Sequence, residues 1–386
     1  MKARRRVGPD GRSQRTPTVR RIKPAITPVT RRTPAVRPMA TAVPGMGDVA
    51  TASGLTGGPA LDALGGRPVD LAVDLGRGLV LANPLLAAAG AFGYGVEVAD
   101  LVDLPRLGAL VTRGTTLKPR SGRPAPRTAD VPAGILLGIG LQNPGIDAVI
   151  ERYATTWARW TVPVILNLCL ESASEAGEVL RRLEGAPGIA AIELNLSCPN
   201  VGRGGTAFGL DADTAGSLVA AVRRATDLPV IAKLTAAAAG VRAVARAVED
   251  AGADAISAIN TLPGLAIAVD RRGPALGSLY GGIAGPALKP VALRVVWEIA
   301  QVVDVPIIGI GGVTTLDDVL DLLAAGASAV GVGVAALADP MLPVRLADEL
   351  ADACRGRGIG RVAELVGTAV PRRAATPSTR GAEYGR

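Results

Sequence analysis

Six polar side chains stand where short apolar runs end: Asn167 in VPVILNL, Asn195, Cys198 and Asn200 in IELNLSCPN, Lys233 in VIAKLT and Asn260 in AISAINT. Asparagine both donates and accepts, which suits a planar ring bearing amide and carbonyl groups, although any one of the four also suits a turn. A lysine at an inward position is costly unless a charge meets it. Its chemistry there is a Schiff base, or a positive charge beside a developing anion such as a reduced flavin; the plain alternative is an exposed rim lysine. Cys198 reads as a proton-abstracting base or a nucleophile, against the alternative of a buried structural thiol.

Composition removes several other chemistries. The chain has no histidine, so Ser-His-Asp and Cys-His catalysis, histidine-ligated zinc and two-His-one-carboxylate iron are excluded. Its three cysteines, Cys169, Cys198 and Cys354, form no CxxC pair and hold neither an iron–sulfur cluster nor a disulfide framework. No metal site is expected, and Cys169 and Cys354 read as inert thiols. Scattered cysteines fit a reducing cytoplasm. Aromatics make up 2% of the residues, too few for a stacking platform for single-stranded nucleic acid. Gly, Pro and charges interrupt every long apolar run, so no membrane span is expected.

The net charge of +8 is unevenly placed: residues 1–40 hold twelve Lys or Arg against Asp10 alone, which leaves 30 basic and 33 acidic residues over the rest. Residues 1–65, rich in Arg, Pro, Thr and Gly, read as a disordered extension, and 369–386 as a loose C-terminal tail. The extension admits a nucleic-acid or anionic-surface arm, a transit peptide, a plain solvated extension, or a start codon placed too far upstream, with Met39 and Met46 both available.

Residues 66–368 alternate between β-branched runs and helical periods. Eight strands are expected, within 78–90, 107–115, 162–168, 189–197, 228–235, 253–261, 305–312 and 327–335, with helices best seen at 173–185, 213–227, 241–252 and 315–326. Eight βα units with buried parallel strands predict an α/β fold, the (β/α)8 TIM barrel. In that fold chemistry gathers at the C-terminal ends of the strands, which is where the six polar residues fall. The last two strands end in Gly309-Ile310-Gly311-Gly312 and Gly331-Val332-Gly333, at the usual phosphate site of barrels. Glycines that merely make tight turns are the plainer reading.

Taken together, ELNLSCPN (193–200), GLQNPG (140–145), INTLPGLAIAVD (259–270), GGIAGPALKPVAL (281–293) and IIGIGGV (307–313) closely resemble the dihydroorotate dehydrogenases. The likeness runs in register from about residue 70 to about 350 and is nearest class 1B, the catalytic subunit of the NAD-linked enzyme. It implies an FMN-containing cytoplasmic barrel that oxidises dihydroorotate to orotate in pyrimidine (UMP) biosynthesis. Cys198 would be the base, taking a proton from the ring carbon beside the carbonyl while hydride passes to flavin N5. The resemblance sets FMN against Asn167, Asn195, Lys233, Ile259, Gly285, Gly311, Gly312 and Gly333, with Arg113 where the family has a lysine. It sets the substrate against Asn195, Asn200, Asn260, Thr261, Gly140 and Leu141, and gives Lys233 the negative charge of reduced flavin to stabilise.

Other positions depart from the family pattern: Leu137 replaces a substrate-binding asparagine, Ala89 a serine, Ala236-Ala237 a Pro-Asn pair and Val334 a threonine. An FMN oxidoreductase acting on another cyclic amide or enone, or a catalytically weak paralogue, is the alternative these departures admit. With neither iron–sulfur ligands nor a GxGxxG unit, NAD reduction would need a partner subunit carrying FAD and an iron–sulfur cluster. The expected assembly is a homodimer or heterotetramer.

Overall fold

The computed structural model describes residues 68–197, 199–200 and 206–371. The extension expected over 1–65, most of the tail expected over 369–386 and Cys198 itself lie outside the described residues.

Eight parallel strands close into a barrel: β1 (Leu85–Ala87), β2 (Ala109–Val111), β3 (Val164–Leu168), β4 (Ala191–Asn195), β5 (Val230–Leu234), β6 (Ala255–Ala258), β7 (Ile307–Ile310) and β8 (Ala329–Val332). Neighbours in sequence are neighbours in space, and β8 returns to pair with β1 through Val330 opposite Leu85. Each strand falls inside its expected segment. The first is the most shortened, because Asn83-Pro84 splits segment 78–90. Val80–Leu81 instead pairs antiparallel with Val73–Asp74, and Gly76 in their turn lies against Asp254, the residue before β6. This small hairpin therefore sits at the N-terminal end of the barrel, where Leu75 and Leu81 are wholly buried.

The helices are α1 (Ile146–Trp157), α2 (Ala176–Leu183), α3 (Ala212–Arg223), α4 (Val241–Asp250), α5 (Lys289–Ala300), α6 (Leu316–Ala324), α7 (Ala335–Ala338) and α8 (Leu342–Gly356). Their buried residues recur at helical spacing, as in α2 (Ala176, Val179, Leu180, Leu183) and α4 (Val241, Val244, Ala245, Val248). Asp211 caps α3 by accepting from the Thr214 N–H, and Thr315 with Asp318 forms a capping box on α6. A turn-rich segment with one short 3-10 helix, Leu104–Arg106, joins β1 to β2 in place of a helix. Ala369 is joined to the barrel, donating its N–H to Ala324 and accepting from the Trp297 indole.

Two long connections leave the barrel at its C-terminal end and meet. Thr128–Val131 and Gly134–Leu137, between β2 and α1, pair with Gly281–Ala284 and Leu262–Gly264, between β6 and α5, in a four-stranded antiparallel sheet. Glycine at 281, 282 and 134 obscures these strands in the sequence. The glycines are needed because the pairing is close: a Cβ at Gly282 would stand 2.2 Å from Thr261 Oγ1.

Candidate active site

Under this small sheet, at the C-terminal mouth of the barrel, lies a cavity of about 420 Å³. Asn167, Asn195 and Lys233 reach it from the ends of β3, β4 and β5, while Ile259, Asn260 and Thr261 follow β6. Arg113 enters after β2, Gly140 and Leu141 from the GLQNPG loop, and Gly285 from the turn into α5. Gly311, Gly312 and Gly333 close the far side beyond β7 and β8. All the site residues expected from sequence thus share one cavity, save two. Cys198 is outside the described residues, and Asn200 is described in its backbone alone, pairing with Thr206 in a short antiparallel ribbon.

One carboxylate organises the floor. Glu193 is 1% exposed and points into the barrel from β4. Its Oε1 accepts from Asn167 Nδ2 at 2.6 Å and lies 3.2 Å from Lys233 Nζ; its Oε2 accepts from Ser257 Oγ at 2.7 Å. Strand register produces this meeting, since Asn167 is opposite Glu193, and Lys233 is opposite both Asn195 and Ser257. Glu193 is therefore the countercharge that an inward lysine requires. Sequence reading passed over it, although an acid inside the apolar run IAAIELNL was its signal.

A second group of amides lies at the ends of β4 and β6. Asn260 Nδ2 donates to Asn195 Oδ1 at 3.1 Å, and that oxygen also accepts from the Ser197 N–H, immediately before Cys198. Asn260 Oδ1 accepts from the Thr261 N–H at 2.8 Å. These bonds fix which faces of both amides turn to the cavity. Leu141 holds a left-handed φ of 56°, and buried Asn143 anchors that loop by donating to Leu141 O and Thr116 Oγ1 and accepting from Gly145 N–H. Asn143 lies within a recognised motif, yet its structural part was not legible from spacing.

The glycine loops show why glycine is used. At Gly311 (φ 142°) and Gly312 (φ 76°) a Cβ would come within 2.7 Å of Ala292 and Lys289. A Cβ on Gly333 would meet nothing within 4 Å, so this backbone faces open cavity. Asp318 holds the loop after β7, accepting from Thr314 N–H (2.7 Å), Thr314 Oγ1 and Thr315 N–H, with Lys289 Nζ at 2.6 Å. Burial opposes its ionisation, but Lys289 and the Thr314 and Thr315 donors outweigh that and hold the carboxyl at about 2. The pattern Thr-x-x-Asp before an apolar run was its sequence signal.

Near Arg113 but outside the cavity lining, Tyr94 stacks on Tyr153 at 4.6 Å and bonds Thr115 Oγ1; burial pushes its hydroxyl up to about 12. Cys169 is buried with Sγ 3.6 Å from Asn167 Oδ1, and burial raises the Cys354 thiol. Leu137, from the small sheet, adds an apolar side chain to the lining of the cavity. Among the described residues no helix is long and apolar enough to cross a membrane.

A dihydroorotate dehydrogenase family model matches residues 72–354. The protein named dihydroorotate dehydrogenase B (NAD(+)), catalytic subunit, of Desulforamulus reducens is 47% identical over 301 residues, covering 78% of this chain and 99% of that one. Its namesake in Pelobacter propionicus is 48% identical over 298 residues, 77% of this chain and 98% of the other. That from Desulforudis audaxviator is 47% identical over 292 residues, 76% and 95% respectively. The barrel, the cavity at its mouth and a match running through nearly the whole of its relatives together establish that this chain belongs to the dihydroorotate dehydrogenase family.

Proposed function

We infer that the chain is the catalytic subunit of an NAD-linked dihydroorotate dehydrogenase, oxidising dihydroorotate to orotate in pyrimidine biosynthesis with FMN as its cofactor. The observation that carries this reading is the convergence of Asn167, Asn195, Lys233, Asn260 and the loops of Gly311, Gly312 and Gly333 on one cavity, in a chain 45–48% identical to proteins of that name. The relatives favour dihydroorotate over another cyclic substrate.

The residues present fit a flavin mononucleotide. The cavity is within the range of ligand pockets, one side offers glycine backbone opening onto free space, and a buried ammonium stands on the floor. Gly311, Gly312 and Gly333 would hold the phosphate, and Asn167, Asn195, Lys233 and Ile259 the ring. Bound FMN supplies the hydride acceptor.

The chain's own work is positioning and proton transfer. Asn195, Asn260 and Thr261 would bind the amide and carbonyl edges of the substrate ring, and Gly140 and Leu141 close over it. Cys198, as thiolate, would take the proton from the carbon beside the carbonyl and hold it at Sγ. With no histidine in the chain, a thiolate on a loop next to Asn195 is the base that the residues offer. Cys198 enters this mechanism through the residue types around it and the resemblance of NLSCPN, and Asn200 through that resemblance. Electrons would leave to a partner subunit carrying FAD and an iron–sulfur cluster, and the enzyme would act in the cytoplasm.

Anaerobic titration tests the reading. Purified protein should be yellow or take up FMN, and dihydroorotate should bleach it without oxygen. Protein that cannot be loaded with FMN, or whose flavin dihydroorotate leaves oxidised, overturns it. Cys198→Ala should retain FMN and lose bleaching by at least a hundredfold in rate; undiminished bleaching would remove Cys198 from the mechanism.

A further inference from the structure

Lys233 is 5% exposed, and a buried ammonium without an opposite charge tends to give up its proton. Four side chains face it from the packed strands: Glu193 and Asn195 on β4, Ser257 on β6 and, through Glu193, Asn167 on β3. Of these Glu193 alone carries charge. The other charged side chain lining the cavity is Arg113, a second cation. Among the described residues Lys233 therefore has one source of compensation, and that carboxylate is not itself part of the cavity lining.

We propose that Glu193 is a positioning residue that keeps Lys233 both charged and aimed at the cavity, so that a buried carboxylate rather than solvent fixes the positive charge the site presents. The geometry stands by itself, while the consequence for electron transfer rests on the FMN reading above. Each carboxylate oxygen is occupied, Oε1 by Lys233 and Asn167 and Oε2 by Ser257. Lys233 is thereby tied to the same carboxylate as Asn167, and one residue orients two polar contacts of the cavity floor.

Glu193→Gln isolates the charge. A glutamine carbonyl can accept from Lys233 and Asn167, and its amide can donate to Ser257, whose hydroxyl changes from donor to acceptor. The hydrogen-bond geometry survives, and only the negative charge is lost.

The chain has five lysines, Lys2, Lys23, Lys118, Lys233 and Lys289, so selective labelling of lysine Nζ and Cε gives a spectrum of five side chains, with Lys233 assigned by Lys233→Arg. At about pH 8 the full-length wild type should show Lys233 as an ammonium. In E193Q it should appear as a neutral amine, with the other four unchanged. FMN-loaded E193Q should then be harder to reduce than wild type, by tenfold or more in the equilibrium, which is about 30 mV for two electrons. A Lys233 that stays charged in E193Q, or a loaded variant reduced as easily as wild type or more easily, overturns the proposal. If E193Q does not fold, the wild-type spectrum decides: a Lys233 that is a neutral amine at about pH 8 with Glu193 in place overturns the proposal. A wild type that takes up no FMN refutes the functional reading, and the lysine spectrum still decides the role of Glu193.

Discussion

A methyl group added at Gly333 would meet no protein atom within 4 Å, and Gly333 is not among the residues at positive φ. Alanine there should leave the empty protein as stable as before, or more so by a few tenths of a kcal/mol through lost unfolded-state freedom. The same methyl would project into the cavity, where the phosphate of FMN is proposed to approach the backbone. Gly333→Ala is expected to weaken FMN binding about tenfold with an unchanged melting temperature of the unloaded chain. Fluorescence titration and thermal unfolding check both halves, and unweakened binding would mean the phosphate lies elsewhere. The sequence disclosed Gly333, Lys233 and the asparagines because polar or glycine residues interrupt β-branched runs. It disclosed Glu193 less readily, because its meaning lies in its register against Lys233 and Ser257, and register belongs to the closed barrel and not to any one strand.

At the scale of elements, the loop after β7 is held by the start of α6. The Asp318 carboxyl is lowered from 3.8 to about 2 in the folded chain. A group depressed in this way stabilises the fold above its unfolded value, and that contribution is lost as pH falls from about 4 towards 2. The shift corresponds to about 2 kcal/mol. Asp318→Asn should therefore lower unfolding stability by about that amount at pH 7, and the gap from wild type should close as pH approaches 2. Urea unfolding at several pH values measures it, and a gap independent of pH would mean that the lost packing, not the charge, matters. The helix α6 was legible, as were all eight strands, since local patterns set them. The four-stranded sheet over the cavity was not, because its strands come from two connections far apart in sequence and are rich in glycine, and only their pairing makes them strands.

For the whole molecule, the cavity-lining residues all fall between Ala88 and Leu337, and the family match spans residues 72–354. We propose that residues 1–65 form a separate extension and that the barrel from residue 66 onward is self-sufficient in chemistry. Removing 1–65 takes away twelve basic and three acidic residues, which changes a net +8 to −1. If the basic arm only adds charge, the shortened chain should bind FMN, bleach with dihydroorotate and melt as the full chain does. It should differ in one property, retention on a polyanion such as heparin, which falls steeply with salt for the full chain and should be lost without the arm. Equal retention of both would place the anion affinity on the barrel. A shortened chain that loses FMN or melts several degrees lower would show that the extension contributes to the fold or the site. The (β/α)8 architecture makes the first outcome the expected one, because β8 closes directly on β1 and the described N-terminal hairpin already covers the end of the barrel opposite the cavity.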